Sequence, residues 1–202
     1  MDKALRPIKV TFAIAEKAPV GVIAVQYRPK ATRLFKWDLM TDALTQGQFL
    51  GDYAEIQSIS ADGKYFSYEV HSYKKNYLCV AKPPYFSALA YFSQNLNESS
   101  QIEIINGKAI QIVSPSGLHL SIEHFQEAKI APGCPFTIDC ETPIQKITNR
   151  LYYIDAQREM ALFAIGKTIS RRPPPDHELG TIFSFGDEIF EAVEPPEWAK
   201  VW

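Results

Sequence analysis

Four histidines and three cysteines are the residues from which this 202-residue chain would build a metal centre or a nucleophile. His119 and His124 are five apart in a stretch that reads as a strand, so they fall on opposite faces. They cannot share an ion without a bulge between them. Cys134 and Cys140 flank Pro135 and Asp139 at a spacing that matches no zinc knuckle. Cys79 sits between Leu78 and Val80, the setting of a core residue rather than an activated thiolate. The expectation is therefore no metal and no cofactor: a Gly-x-Ser-x-Gly elbow, a phosphate loop and a Gly-x-Gly-x-x-Gly fingerprint are all missing. Asp187–Glu188 and Asp139/Glu141 are close in sequence, but acids at turns cap and solubilise, and a catalytic pair must converge across a cleft.

The residues suited to binding are more distinctive. Tyr73-Lys74-Lys75-Asn76-Tyr77 places cations and aromatics between two strand-like runs, and Arg28-Pro-Lys30-Ala-Thr-Arg33 does the same earlier in the chain. Arg28, Lys30, Arg33, Tyr73, Lys74, Lys75 and Tyr77 are thus candidates for a partner surface, protein or single-stranded nucleic acid. Trp198 is expected to pack, whereas Trp202, the last residue of the sequence, is a candidate anchor for a partner. The competing reading is an enzyme whose site uses Asp38, His71 or Asp155.

Strands must position these residues. Phe35, Trp37 and Leu39 alternate with Lys36 and Asp38; Phe66, Tyr68 and Val70 alternate with Tyr65, Ser67, Glu69 and His71. Leu118, Leu120 and Ile122 alternate with His119, Ser121 and Glu123. Period-two alternation predicts half-buried antiparallel strands. Ala61-Asp-Gly-Lys64, Asn106-Gly107 and Ser114-Pro-Ser-Gly117 are hairpin connectors. Only 42–51 and 84–94 leave helix and strand both open, and fourteen prolines discourage long helices.

The chain also matches itself. Ser60-Ala-Asp-Gly63-Lys-Tyr-Phe-Ser67-Tyr-Glu69 aligns without gaps on Ser114-Pro-Ser-Gly117-Leu-His-Leu-Ser121-Ile-Glu123, with a fainter copy at Asp155–Phe163. Repeats of about 40–50 residues made of short strands and tight turns predict propeller blades, here about four, with a β-sandwich or irregular β-barrel as the alternative.

Trp37-Asp38-Leu39, then Ser60-Ala-Asp-Gly-Lys64, then Ala81-Lys-Pro-Pro-Tyr85 leading into Ala88-Leu-Ala90, together with the ending Phe190-Glu-Ala-Val-Glu-Pro-Pro-Glu-Trp-Ala-Lys200, carry a resemblance. The chain resembles a family of bacterial WD-like, propeller-type proteins of uncharacterised function. The likeness touches most of residues 20–200 and lapses between Asn95 and Asn149. It implies a fold and supplies no catalytic residues.

Composition bounds the rest. With 46% apolar and 22% charged residues the chain is an ordinary globular sequence, long enough for a core without staples. No apolar run reaches the ~18–20 residues of a membrane span, and an odd number of cysteines fits reduced thiols, so a cytoplasmic location is expected. The net charge of −2 hides polarity: residues 1–36 hold eight Lys/Arg against two acids, and 173–202 hold seven acids against one Lys. The expected architecture is a single propeller-like domain over 1–202, with the acidic 173–202 segment beside the basic start. The expected function is a non-catalytic module that binds another protein, with no membrane partner. An immunity protein that neutralises a bacterial toxin is one such role. An enzyme with a central-channel site is the alternative, and a nucleic-acid binder the third reading.

Overall fold

A computed structural model describes residues 6–28, 30–41, 43–95, 100–105 and 107–141, and the backbone of three further strands at 159–165, 168–170 and 181–184. The chain is all-β: two antiparallel meanders are followed by a sheet built on an antiparallel hairpin. The first sheet is β1 (Arg6–Ile14), β2 (Val20–Arg28), β3 (Ala31–Asp38) and β4 (Ala43–Leu50), paired in that order. The second is β5 (Tyr53–Ile59), β6 (Phe66–His71), β7 (Asn76–Ala81) and β8 (Ala88–Gln94), with β11 (Ala128–Ile130) added outside β8. The third joins β9 (Gln101–Ile105), β10 (Ala109–Val113) and β12 (Thr137–Ile138), the last running parallel to β10. A separate sheet contains β13 (Glu159–Ile165), β14 (Thr168–Ser170) and β15 (Thr181–Ser184). The two ambiguous segments hold β4 and β8, and the described residues contain only one helical turn, a 3-10 turn at Ile122–His124.

Two apolar layers join the first three sheets. Val22, Ala24 and Leu34 of the first sheet meet Ala54, Ile56, Phe66 and Tyr68 of the second. Leu78, Val80 and Phe92, from the other face of the second sheet, meet Ile102, Ile104, Ile110 and Ile112 of the third. The second sheet is therefore covered on both sides. The polar parity of β6 is not a solvated face: Ser67 is fully buried and Glu69 is buried.

Burying that face brings edge strands against polar side chains. β5 is an edge of its sheet, and its outward backbone groups meet the first sheet instead of a strand. Ile56 N donates to Thr11 Oγ1 at 3.1 Å, and Ala54 N to Thr32 Oγ1 at 2.9 Å. Gln26 Nε2 donates to Ala54 O at 3.2 Å, and Thr32 Oγ1 to Asp52 O at 2.8 Å. The same device recurs at β9, the edge of the third sheet. A bulge in β5 between Ile56 and Ser58 leaves Gln57 outside the ladder. Its amide accepts from Ile102 N at 3.0 Å and donates to Ser100 O at 3.2 Å. The Ser58 and Ser67 hydroxyls each lie 2.9 Å from Ile102 O and 2.7 Å from one another, so one bonds the carbonyl while the other bonds its neighbour. At the far edge of the first sheet, Gln48 N donates to Pro84 O at 3.0 Å, and Gly47 makes room for that approach: a Cβ there would sit 2.1 Å from the same oxygen.

Two expectations fail for identifiable reasons. Leu118–Glu123 is no strand: His119 makes one isolated bridge to Val113, and then the chain winds into the 3-10 turn. Ser121 closes that turn with His124, its N–H reaching His124 Nδ1 at 3.1 Å, and leaves Leu118 65% exposed. The gapless repeat is a repeat of turns rather than of sheets. The Ser60 turn joins the first two strands of the second sheet, whereas the Ser114 turn follows the second strand of the third. Both use the same chemistry. In each, the serine carbonyl accepts from the glycine N–H, the serine hydroxyl accepts a later N–H, and the glycine has positive φ (71° at Gly63, 80° at Gly117). The sheets themselves recur from first strands starting at Arg6, Tyr53 and Gln101, every 47–48 residues.

Gln57→Ala removes the amide's bonds to Ser100 O and Ile102 N and leaves those buried backbone groups unmet. Urea unfolding is expected to show a loss of about 1–3 kcal/mol. Gln101→Ala, at an exposed position on β9, is expected to cost under about 0.5 kcal/mol. Equal effects would show that the Gln57 amide does not join the sheets.

Candidate functional site

Register brings the two basic hairpins to one end of the molecule. The β2–β3 turn holds Lys30, whose Nζ pairs with Asp52 in the β4–β5 connection at 2.6 Å. That connection leads to Tyr53, which pairs with His71 immediately before the β6–β7 turn. Arg28, Lys30, Tyr73 and Lys74 are exposed there, Tyr73 to 90%, and Lys75 is half-buried. Ser72 orders the second turn by accepting the Lys74 and Lys75 amides at 3.3 and 3.4 Å.

Two candidates leave the surface. Arg33 lies within β3, fully buried, with Nη1 donating to Gly47 O at 2.8 Å and its guanidinium 3.5 Å from the centre of the Phe49 ring. The β2–β3 turn is too tight to include it, and a carbonyl and a ring face take the charge that water would otherwise solvate. Tyr77 belongs to β7, half-buried and edge-on to Tyr91 at 6.0 Å. Trp202 and Asp155 lie outside the described residues, as does the 173–202 segment apart from the backbone of β15.

Beneath the hairpins is a cluster that sequence reasoning touched only at His71. Glu55 and Glu69 stand directly opposite one another on β5 and β6, and His71 is two residues further along. The imidazole lies between the two carboxylates: Nε2 is 3.5 Å from Glu55 Oε1, and Nδ1 is 3.9 Å from Glu69 Oε1. Lys9 of β1 reaches across to Glu55 Oε1 at 2.5 Å. Gln94 donates to Glu69 at 2.7 Å, and Gln57 lies 3.5 Å from its other oxygen. Two carboxylates so placed repel, and the surrounding groups separate their behaviour. Glu55, held by His71 and Lys9 against the cost of burial, is lowered to about 2. Glu69 is raised, by burial first and then by Glu55. Interaction with Glu55, opposed by desolvation and aided by Glu69, raises His71. Only the imidazolium carries a proton on both ring nitrogens, so this placement suits the charged form.

The cluster can hold or move a proton. Cys79 is buried in the core with its thiol pushed up to about 12 by desolvation. Asp38 caps its own turn, accepting the Met40 and Thr41 amides at 2.8 and 3.3 Å. It lies six residues along β3 from Thr32, which contacts the β4–β5 connection, so roughly 20 Å of strand separates it from the His71 end. Among the described residues, no three His, Cys, Asp or Glu side chains are grouped to hold a metal ion. The three cysteines are unbonded, and no helix among the described residues is long and apolar enough to cross a membrane. Gln57, Glu55 and Glu69 left one sequence signal: a strand pair whose polar parity mixes Ser and Gln with isolated acids instead of lysines. The chain matches no family model, no curated protein and no solved structure.

The shifts set a pH window. His71 contributes stability below its ordinary 6.5 and loses it as pH rises through the raised value; Glu55 contributes above 4.5 and loses it as pH falls toward 2. In Glu55→Gln the imidazole faces only Glu69, and NMR titration should show a lower His71 pKa than in the parent. An unchanged value would remove Glu55 as the cause.

Proposed function

We propose that this protein is a non-catalytic binding module, a propeller-like array of sheets that engages the acidic surface of another protein through the end bearing Arg28, Lys30, Tyr73, Lys74 and Lys75. The observation that carries the reading is that register puts two separate basic hairpins at one end, one of them presenting an almost fully exposed tyrosine. An exposed aromatic among cations matches the anchor-and-rim composition of protein interfaces, and the charges would speed association with an acidic partner. A toxin or effector blocked through such a face belongs to this class of partner.

Three features support the propeller-like arrangement. The first strands of the three sheets start at intervals of 47–48 residues. Their first strands, β1, β5 and β9, pack in series. The third sheet also carries Glu103 on the face turned away from the second, with Oε1 buried and lacking a hydrogen bond. Polar groups on the corresponding faces of the first two sheets reach the edge of the next sheet. The islands that resemble the WD-like family fit this arrangement, since Trp37–Leu39 ends a third strand and Ser60–Lys64 joins first to second.

One observation favours the enzyme as a second reading: the partly exposed His71 lies between two carboxylates at the same end. A proton-transfer role would need a substrate to reach it.

Affinity capture from the native host, with mass spectrometry, separates the readings. The parent protein should retain a partner that is released as salt rises, and Tyr73→Ala/Lys74→Glu/Lys75→Glu should lose it while remaining folded. Identical captures by both proteins would refute the assignment of this end.

A further inference from the structure

We infer that the opposite end of the molecule holds a second site, a cleft that takes a small phosphate monoester with an apolar or aromatic body. The cleft has a volume of about 330 Å³ and lies where the β5–β6 turn meets the first sheet. Three lysines from separate parts of the chain converge in it: Lys36 on β3, Lys64 in the turn, and Lys82 just after β7. Among the described residues Asp62 supplies the one carboxylate in the lining. Its Oδ2 pairs with Lys64 Nζ at 3.0 Å, while its Oδ1 accepts from the Ser60 hydroxyl at 2.7 Å and from Lys64 N at 3.2 Å. The described lining thus carries three lysines and one carboxylate.

The arrangement is built rather than incidental. Lys36 and Lys82 are both half-buried, so their charges are less screened than those of a lysine extended into water. The turn that presents Lys64 is fixed by Gly63, whose φ of +71° suits glycine and whose Cβ would meet Val20 at 2.9 Å. Lys17 N, from the neighbouring β1–β2 turn, also bonds Ala61 O at 2.8 Å. Lys82 lies 5.6 Å from the centre of the Tyr65 ring, and that ring is held edge-on by Phe136 at 4.7 Å. Concave walls concentrate the field of like charges, and lysine binds phosphate as a point charge. Tyr65, Val20 and Pro83 give the lining an apolar side against which the body of a ligand would rest. The volume falls at the small end of the ligand-pocket range of about 300–1,000 Å³, which suits a monoester better than a polymer.

The site is independent of the hairpin end, so the two proposals fail separately. The test is isothermal titration of the full chain with phenyl phosphate, inorganic phosphate and benzyl alcohol, with amide NMR shifts locating any binding. Phenyl phosphate should saturate and weaken as salt is added, inorganic phosphate should bind more weakly, and benzyl alcohol should not bind. Lys36→Gln/Lys82→Gln should bind phenyl phosphate at least about tenfold more weakly because two charge-assisted contacts are lost. The same variant should keep the parent's amide NMR spectrum away from the cleft, which shows that it is folded. Lack of saturation at millimolar phenyl phosphate, equal binding by the variant, or shifts centred away from residues 20, 36, 62–65 and 82–83 would each overturn the inference.

Discussion

An edge strand whose backbone is buried must find hydrogen-bond partners, and here the partners are side chains of the preceding sheet. A buried backbone group left unmet costs about 1–3 kcal/mol. Thr11, Gln26 and Thr32 meet β5, and Gln57, Ser58 and Ser67 meet β9. These contacts fix how far one sheet slides on the next, which an apolar layer alone does weakly because dispersion is non-directional. They also blunt edges that would otherwise pair with another chain.

The functional end inherits its geometry from that constraint. Thr32 bonds both Asp52 O and Ala54 N, which places the β4–β5 connection against the first hairpin and lets Lys30 reach Asp52. The same register sets Tyr53 opposite His71 and carries the second hairpin to the same end. Lys9 and Glu55 then meet across the two sheets, so the ionic cluster senses how the sheets are seated. The Lys9–Glu55 pair, 15% and 33% exposed, is a single contact between the sheets, whereas the hydrogen-bonded edge joins them at several points.

The sequence was most legible where one face of a strand is apolar and turn chemistry bounds it. Phe66, Tyr68 and Val70 did enter the core, and Ala61–Lys64 did form a hairpin turn. Alternation failed at Leu118–Glu123 because Ser121 and His124 offer the backbone a local turn, a competition that periodicity does not register. It misjudged Arg33 because composition treats a basic residue near a turn as solvated, whereas the ring of Phe49 and the carbonyl of Gly47 receive its guanidinium in the interior. The capping residues were the least visible. Gln26, Gln57 and Ser67 look like a wet face until a following edge strand is laid on them, and Gln57 needs a bulge to get there. The cluster of Lys9, Glu55, Glu69 and His71 draws on three strands up to 62 residues apart, so no local motif announces it.

The most direct measurement is native-state amide hydrogen exchange at Ala54, Ile56 and Ile102, whose N–H groups donate to side chains rather than to a strand. If side chains seal the edges, these amides should exchange as slowly as those of Leu78 in the central strand β7. Exchange as fast as at Lys74 in the exposed turn would contradict the account.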